Sequence, residues 1–389
     1  MLKNIKKTFV NMDKTILFIS LILIIFGTLN IVTASSREAA VNLETNVYYY
    51  FFRHILILFI ALIGFLVIIR VKTSDYGKLA PIVFWGVLAL NFILVVWGAS
   101  TRGAQNWINL GFFKLQPSEL AKPTLIICLS LLIEKFYKRL QEKEEKNIKQ
   151  IWIVTIIGVI FPIIVFFQRD LGTATILIGI FMFLFVFTPM KIKRKFQMLI
   201  ILISCGILSA VAYMSFSGSI LSDAQLSRFN YFNPCSKYVS GEGYQVCNAF
   251  IAINNGGLTG LGLGNSIQKY SYIPEPHTDM VFSIIAEENG VLVGSLILIA
   301  YLVIIFKILK LSMRVNKISH RYICLGFASY IFLHILINLG GLFGLIPLTG
   351  VPLPFLSYGG SFTISLIASL AVIQRIHIEY KFEKQKINK

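Results

Sequence analysis

The sequence predicts an all-α polytopic membrane protein with about ten transmembrane helices, both termini in the cytoplasm and one large extracytoplasmic loop, at about 216–278, between helices 7 and 8. Hydrophobic residues make up 56% of the 389 residues, which is more apolar surface than a soluble core needs. Apolar runs long enough to cross the ~30 Å hydrocarbon layer recur along the chain, and the basic residues concentrate in alternate connections. We therefore expect residues 1–389 to form a single integral-membrane domain.

Ten candidate spans follow one another along the chain. The first comes after a basic N-terminal stretch, but its apolar region is too long for a signal peptide and no small-x-small site closes it, which predicts an uncleaved span. The fifth and sixth are short and joined by "QRDLGT", which predicts a tight hairpin, while the long eighth is expected to tilt or to extend beyond the membrane. Defined to within a few residues, the spans are 14–34, 49–69, 80–98, 118–134, 151–167, 172–189, 197–215, 279–307, 322–345 and 361–379.

The net charge of +18 is explained by topology. The connections that alternate with the outer loops hold 27 of the 36 lysines and arginines, and the positive-inside rule makes their side cytoplasmic, with both termini on it. The basic excess then reflects orientation and attraction to anionic lipid. No nucleic acid is expected among the partners.

Four stretches rich in Gly, Pro and polar residues open on the opposite side, at 99–119, 168–173, 216–279 and 346–361. Loops on one side of a rigid bundle are where a binding site is usually built. In the first stretch, Pro117 is expected at a helix start, with Ser118 as N-cap and Glu119 at the positive end of the dipole. Lys122 lies one turn further, where snorkelling and phosphate binding are both open.

The second and third stretches pose further alternatives. Asp170 could cap the following helix or face an outer cavity. The run "NNGGLTGLGLGNS" is not read as a nucleotide loop, because no Lys-Ser/Thr follows it and no strand precedes it. Cys235 and Cys247 share the large outer loop, where a disulfide is permitted, and bonded and free states both remain open.

Asp279 lies in "YIPEPHTDMVFSIIAEENG", at the lip of an apolar helix expected to start near it, with Thr278 as a possible cap. A capping role would explain the residue type but not the basic residues of the neighbouring outer loops. Glu287 lies eight residues further, about 12 Å deeper, so Glu287 and Glu288 are expected to be structural. In the fourth stretch, "GLIPLTGVPLPFLSYGGSF" predicts a stiff re-entrant loop whose hydroxyl and N–H donors could hold an anionic or sugar ligand.

Together these motifs resemble the SEDS family (shape, elongation, division and sporulation), the polytopic peptidoglycan polymerases that include FtsW and RodA. The run "GLGLGNSIQKYSYIPEPHTD" is most like the FtsW/SpoVE division and sporulation branch. Asn106 stands before Trp107 where the family often has Arg, so Arg102 would have to supply that charge. The motifs occur in family order: "RGAQNWINLGFFKLQPSELAKP", "QRDLGTA", "RFNYFNPC" with "GYQV", "NNGGLTGLGLGNS", "IPEPHTDMVFSIIAEENG" and "PLTGVPLPFLSYGGS".

The resemblance implies an inverting glycosyltransferase of the bacterial cytoplasmic membrane that transfers a polyprenyl-diphosphate-linked glycan to lipid II. Asp279 matches the family's catalytic aspartate. The implied partners are a class B penicillin-binding protein with one span and other membrane proteins of the divisome or elongasome. No cofactor is certain, and use of a divalent cation, Mg²⁺ or Mn²⁺, is left open.

The chemistry of such a reaction can be written for these residues. One carboxylate that takes the proton of a sugar hydroxyl contributes on the order of 10²–10⁴-fold, and Asp279 is the candidate general base. Basic groups would stabilise the departing diphosphate, for which Arg102, Lys114 and Lys122 are the candidates. The full set of candidate substrate-binding residues is Arg102, Trp107, Lys114, Gln116, Ser118, Glu119, Lys122, Asp170, Lys269, His277, Thr278, Ser357, Tyr358, Gly359 and Ser361.

Two other functions stay open from sequence alone. A lipid II flippase would need polar residues along a path through the bilayer, whereas the polar groups here crowd one face. A non-catalytic division scaffold would tolerate substitutions in the outer loops. Reconstituted protein given lipid II on one side of the membrane distinguishes these functions. Formation of glycan chains would indicate the enzyme, and translocation of unpolymerised lipid II would indicate the flippase.

Overall fold

The computed structural model describes residues 8–42, 44–97, 99–101, 104–109, 114–141, 148–217, 234–237, 242–270, 273–274 and 276–387. The predicted Arg102 lies outside the described residues. The helices are α1 (Lys14–Arg37), α2 (Tyr49–Ile68), α3 (Tyr76–Trp97), α4 (Pro117–Gln141), α5 (Ile148–Phe167), α6 (Leu171–Val186), α7 (Ile192–Ser217), α8 (Pro234–Lys237), α9 (Glu242–Gly256), α10 (Val281–Arg314), α11 (Ile318–Leu342) and α12 (Gly360–Ile387).

A polytopic helical membrane protein is confirmed. Within the described residues, seven helical stretches are long and apolar enough to cross a membrane: Lys14–Val41, Tyr49–Ile68, Thr73–Val96, Ile148–Phe167, Val281–Arg314, Ile318–Leu342 and Gly360–Ile387. The apolar α6 is shorter, at 16 residues. Each predicted span coincides with a helix, while the number of ten crossings stays a prediction.

The stretch after α3 departs from the all-α prediction, because it forms a small antiparallel sheet. Strand β1 (Ala99–Thr101) pairs with β2 (Ala104–Asn109), and β2 pairs with β3 (Lys114–Leu115). Two of the strands are only three and two residues long, and the six-residue β2, "AQNWIN", shows no alternation of apolar and polar residues. The sheet leads directly into the first turn of α4.

The last two helices form the centre of the bundle. Of the apolar window in α11, 72% is buried within the protein, and 78% in α12, compared with 22% in α2. Apolar side chains on the outer helices remain exposed, as expected where the surrounding solvent is hydrocarbon. Helices α4, α11 and α12 carry buried polar side chains, and some of these bond across helices, as Lys122 does to His334 and Ser365 does to the Glu119 carbonyl.

Helix α10 is broken at Gly290, whose φ of +82° and ψ of 167° are not helical. A glycine is required there because that φ is strained for any L side chain and the loop after α9 packs directly against it. Four backbone hydrogen bonds join loop and helix at the break: Leu261 N to Glu287 O (2.9 Å), Gly262 N to Glu288 O (2.9 Å), Val291 N to Gly257 O (2.9 Å) and Leu292 N to Leu258 O (3.3 Å). The glycine-rich run thus supplies hydrogen-bond partners to the helix backbone on both sides of the break.

Two elements of the large loop were not predicted. Helix α9 packs along α10, and the short α8 is joined to it by a disulfide between Cys235 and Cys247, whose Cα atoms are 4.9 Å apart. The bond therefore ties α8 to α9, and α9 packs along the helix that begins just after Asp279.

The end of the bundle where α1 begins and α12 ends is tied together by polar contacts. The Asp13 N–H donates to Gln374 Oε1 at 2.8 Å, and Lys307 Nζ lies 3.9 Å from Asp13 Oδ2. His320 at the start of α11 lies 2.9 Å from Thr73 Oγ1. The other end, where the loops after α3, α5, α9 and α11 meet, is called the loop end below.

Candidate active site at the loop end

Asp279 precedes the first residue of α10 and is half-buried. Its Oδ1 accepts a hydrogen bond from Thr278 Oγ1 at 3.1 Å, and its backbone carbonyl accepts one from Asn338 Nδ2 at 2.6 Å. The helix begins at Val281 with Met280 at the N-cap position, whose side chain makes no capping hydrogen bond. The carboxylate thus lies one residue before the N-cap, at the edge of the loop end, and Thr278 contacts that carboxylate.

The segment 346–359, called the Pro/Gly loop, forms one wall beside this carboxylate. A side-chain carbon at Gly350 would lie 3.8 Å from Asp279 Oδ2. Three polar side chains hold the carbonyls that follow: Asn338 Nδ2 donates to Val351 O at 2.7 Å, His334 Nδ1 lies 3.1 Å from Pro352 O, and Tyr301 donates to Pro354 O. The loop is therefore fixed inside the bundle, as the predicted re-entrant shape requires.

The hydroxyls of "SYGGS" are engaged mainly with backbone. Ser357 Oγ accepts from Leu353 N at 2.7 Å within the loop. Ser361 Oγ accepts from Gln116 N at 2.7 Å and donates to Lys114 O at 3.2 Å, so it joins α12 to the first loop. Gly359 precedes the first residue of α12. These residues build the site, and the half-buried Tyr358 between them presents its ring to an aromatic cluster.

The aromatic cluster consists of Tyr50, His277 and Tyr358. Ring centroids are 4.3 Å apart between Tyr50 and His277, and 5.4 Å between His277 and Tyr358. The Tyr358 N–H donates to His277 O at 2.9 Å, and Tyr50 donates to Glu38 Oε1 at 3.0 Å. The cluster adjoins Asp279 through the chain, since His277 is two residues before it.

Burial sets the protonation of this cluster. It lowers the pKa of His277 from 6.5 to about 3, so the imidazole is neutral although Glu38 Oε2 lies 3.5 Å from Nδ1. Desolvation wins over that carboxylate because His277 is only 2% exposed. Burial also raises the pKa of Tyr358, opposed by the nearby Arg53 guanidinium. Sequence analysis missed Arg53 because it lies inside an apolar span.

Of the two roles that the sequence left open for Asp170, the structure shows the helix cap, together with contacts to the first loop. Its Oδ1 caps α6 by accepting from Thr173 N at 3.0 Å. Its Oδ2 accepts from Asn106 Nδ2 and Gln116 Nε2, each at 2.8 Å, which fastens the first loop to the α5–α6 hairpin. Asn106, singled out as a departure from the family pattern, thus has a structural contact of its own.

The start of α4 differs from the expected cap. The helix begins at Pro117, and the Ser118 hydroxyl is buried with no hydrogen-bond partner among the described residues, so Ser118 is not the N-cap. Glu119 Oε1 lies 2.7 Å from Lys122 Nζ, and that ammonium also lies 3.1 Å from His334 Nε2. Lys122 is fully buried, so it neither snorkels nor reaches the surface of the loop end.

The remaining predicted residues fall in two places. Trp107 on β2 is half-buried, and Lys114 on β3 is exposed at the loop end. Lys269, in the loop before α10, is buried against the Gly290 end of the short α10 segment. Its Nζ lies 3.1 Å from Glu288 Oε1 and 2.5 Å from Gly264 O. The structure therefore does not bring Lys269 to the start of α10.

Glu287 has the hydrogen bonds expected of a buried structural carboxylate. Its oxygens accept from Asn255 Nδ2 at 3.2 Å, Ser266 Oγ at 2.5 Å and Gln268 N at 3.2 Å. Asn255 lies on α9, and the other two donors lie in the loop that follows it. Across the described residues, no group of three His, Cys, Asp or Glu side chains could hold a metal ion.

Comparisons with known proteins cover nearly the whole chain. Residues 13–382 match the FtsW/RodA/SpoVE family model, described as cell cycle protein. A probable peptidoglycan glycosyltransferase FtsW of Wigglesworthia glossinidia brevipalpis is 33% identical, with 96% of this chain and 95% of that protein covered. Stage V sporulation protein E of Bacillus subtilis (strain 168) is 31% identical, with 94% and 96% covered.

Solved structures share the fold. A chain from a peptidoglycan synthase complex, described for its coordination of polymerization and crosslinking, superposes with a TM-score of 0.72 at 22% identity, covering 95% of this chain and 98% of that one. The rod shape determining protein RodA of Thermus thermophilus gives 0.65 at 22% identity, covering 94% and 96%. At these identities the likeness concerns the fold.

Proposed function

The chain belongs to the FtsW/RodA/SpoVE family of cell cycle proteins, and on that basis we propose that it is a peptidoglycan glycosyltransferase that polymerises lipid II on the outer face of the bacterial cytoplasmic membrane. The donor is a glycan linked to polyprenyl diphosphate, and the acceptor is a sugar hydroxyl of lipid II. The new glycosidic bond forms as the polyprenyl diphosphate leaves. The loop end then faces outward, and the ten helices that match the predicted spans all cross the bilayer.

The observation that carries this proposal is the placement of Asp279. Its half-buried carboxylate lies at the loop end, with its backbone fixed by Asn338 and its Oδ2 beside Gly350. A general base needs this combination of access to the substrate and fixed geometry. Asp279 takes the proton of the attacking hydroxyl as the diphosphate departs. No carboxylate partner is needed, because the leaving group is already activated.

The negative charge of the departing diphosphate is stabilised by basic side chains that remain accessible. Lys114 is exposed on β3, and Arg53 is half-buried beside Tyr358. Lys122 and Lys269 are each paired with a buried carboxylate, which assigns them to holding the site together. A Mg²⁺ or Mn²⁺ ion, if used, would need most of its ligands from the diphosphate and water, which is the usual arrangement for Mg²⁺ at phosphate sites.

The sugar rings of the substrates are contacted by aromatic side chains at the loop end, where the Asp279 carboxylate lies. The half-buried Tyr358 and Trp107 offer ring faces and hydrogen-bonding groups at the loop end, while the buried His277 supports the Tyr358 ring. The partner that cross-links the product is a class B penicillin-binding protein, by analogy with the related synthase complex. Other divisome or elongasome proteins complete the assembly.

Asp279→Asn is the variant that tests this function. The amide keeps the shape of the side chain but cannot accept the hydroxyl proton, so polymerisation should fall on the order of 10²–10⁴-fold. The assay is purified protein with its penicillin-binding partner and lipid II, with glycan chains separated by length. The matched control is Asp75→Asn, an exposed aspartate at the opposite end, which should retain full activity.

The outcomes separate the candidate functions. Full activity of Asp279→Asn removes Asp279 from the mechanism. Wild-type protein that moves lipid II across reconstituted vesicles without forming chains would be a flippase. Wild-type protein that does neither, while it still assembles with its partner, would be a scaffold.

A further inference from the structure

Two side chains one turn apart on α11 hold consecutive carbonyls of the Pro/Gly loop. Asn338 donates to Val351 O at 2.7 Å, and His334 contacts Pro352 O at 3.1 Å. Asn338 also holds the Asp279 carbonyl, and Gly350 lies beside the Asp279 carboxylate. A shift of the loop relative to α11 would therefore move the wall next to the carboxylate.

The hydrogen bonds of His334 admit one neutral tautomer. A carbonyl only accepts, so Nδ1 must carry the proton that it donates to Pro352 O. A lysine ammonium only donates, so Nε2 must be the bare nitrogen that accepts from Lys122 Nζ at 3.1 Å. Lys122 in turn donates to Glu119 Oε1 at 2.7 Å. The chain of bonds runs from α4 through α11 to the Pro/Gly loop.

Packing prevents the ring from turning away. His334 is fully buried and stacks on Phe362 of α12, with ring centroids 4.6 Å apart and planes 23° apart. Tyr330, one turn earlier on α11, meets it edge-on at 4.9 Å. A ring held on two sides keeps both nitrogens aimed at their partners. None of this needs His334 to touch a substrate.

We propose that His334 is a positioning residue for the glycosyl transfer proposed above. Its imidazole ties the Glu119–Lys122 pair to the Pro352 carbonyl and so fixes the Pro/Gly loop against Asp279. The proposal rests on the proposed function. The expected signature is a loss of kcat on the order of 10²-fold with KM little changed, because a misplacement of about 1 Å has that effect on reacting groups.

Three variants separate positioning from simple packing. His334→Phe keeps the stacking but loses both hydrogen bonds. His334→Gln keeps one donor and one acceptor on its amide and should restore most of kcat. His320→Phe, on the same helix at the opposite end, removes a buried histidine hydrogen bond of 2.9 Å to Thr73 and should leave kcat unchanged. Initial rates are measured over a range of lipid II concentrations, per amount of monodisperse folded protein.

Should His334→Phe fail to fold, His334→Asn is the second loss variant, because its shorter amide cannot reach both partners; it too should lower kcat. Wild-type kcat in the loss variant overturns the inference while leaving the proposed function intact. Equal loss in His334→Gln and the loss variant, or a raised KM in place of a lowered kcat, also overturns it. Absence of chains from the wild-type protein overturns the proposed function itself.

Discussion

Replacing Lys122 by methionine tests how the buried ion pair contributes to the fold. Lys122 and Glu119 have side chains that are 0% and 3% exposed, with Nζ and Oε1 2.7 Å apart. At an effective dielectric constant of 20, two charges at that distance attract by about 6 kcal/mol, which desolvation largely offsets. Removing only the ammonium leaves a buried carboxylate without its counter-charge, a change that typically costs about 3–5 kcal/mol.

The measurement is the free energy of unfolding in mixed micelles, from reversible SDS titration followed by tryptophan fluorescence. Lys122→Met should lose about 3–5 kcal/mol, and the double variant with Glu119→Gln should recover most of that loss. Lys307→Met is the matched control, because its partner Asp13 is 3.9 Å away and Lys307 is 35% exposed; it should change stability by less than about 1 kcal/mol.

The reasoning is refuted if Lys122→Met unfolds within about 1 kcal/mol of wild type, or if the double variant is as unstable as the single one. A stable Lys122→Met protein that has lost polymerisation would instead show that Lys122 acts on catalysis, through the contact with His334 that fixes the Pro/Gly loop.

Reduction of the Cys235–Cys247 bond, which spans 12 residues, should lower the unfolding free energy by up to about 3 kcal/mol, and an equal midpoint with and without reductant would contradict this. His277 has its pKa held at about 3, below its ordinary 6.5, so its contribution to stability is complete above pH 6.5 and is lost as the pH falls toward 3. Unfolding titrations from pH 7 to 4 should therefore show a smaller acid loss in His277→Phe, and an unchanged slope would count against the burial argument. Gly290→Ala should cost at least about 1–3 kcal/mol in the same titration because of its positive φ, whereas Gly64→Ala, with open space around it, should cost almost nothing; equal midpoints for the two would exclude strain at the break.

Hydropathy and charge were sufficient to predict the long apolar helices, because a spanning segment must satisfy its backbone internally and be apolar along its length. The same reasoning failed after α3, where strands of two to six residues pair locally and leave no periodic pattern. It also missed α9, whose sequence "EGYQVCNAFIAINNG" is too polar for a span and was read only as loop.

For the candidate site, the sequence named residues but not the contacts between them. Motifs singled out Asp279, Asp170 and the Pro/Gly loop, and the structure brings them to one end of the bundle. The pairing of Lys122 with His334 joins residues 212 apart in sequence, and that of Asp170 with Asn106 joins residues 64 apart. Each of these side chains has several possible partners, and only the packed bundle selects one. Sequence patterns carry no information on that selection.

The break at Gly290 divides α10 into two segments that are both hydrogen-bonded to the glycine-rich loop. The short segment next to Asp279 is hydrogen-bonded through its Glu287 and Glu288 carbonyls to the glycine-rich loop, while the longer segment crosses the hydrocarbon. A bilayer that becomes thicker or thinner acts on the longer segment through its exposed apolar side chains. Because the glycine-rich loop also accepts hydrogen bonds from Val291 N and Leu292 N at the start of the longer segment, a displacement of that segment would be transmitted through the loop to the end of α10 beside Asp279.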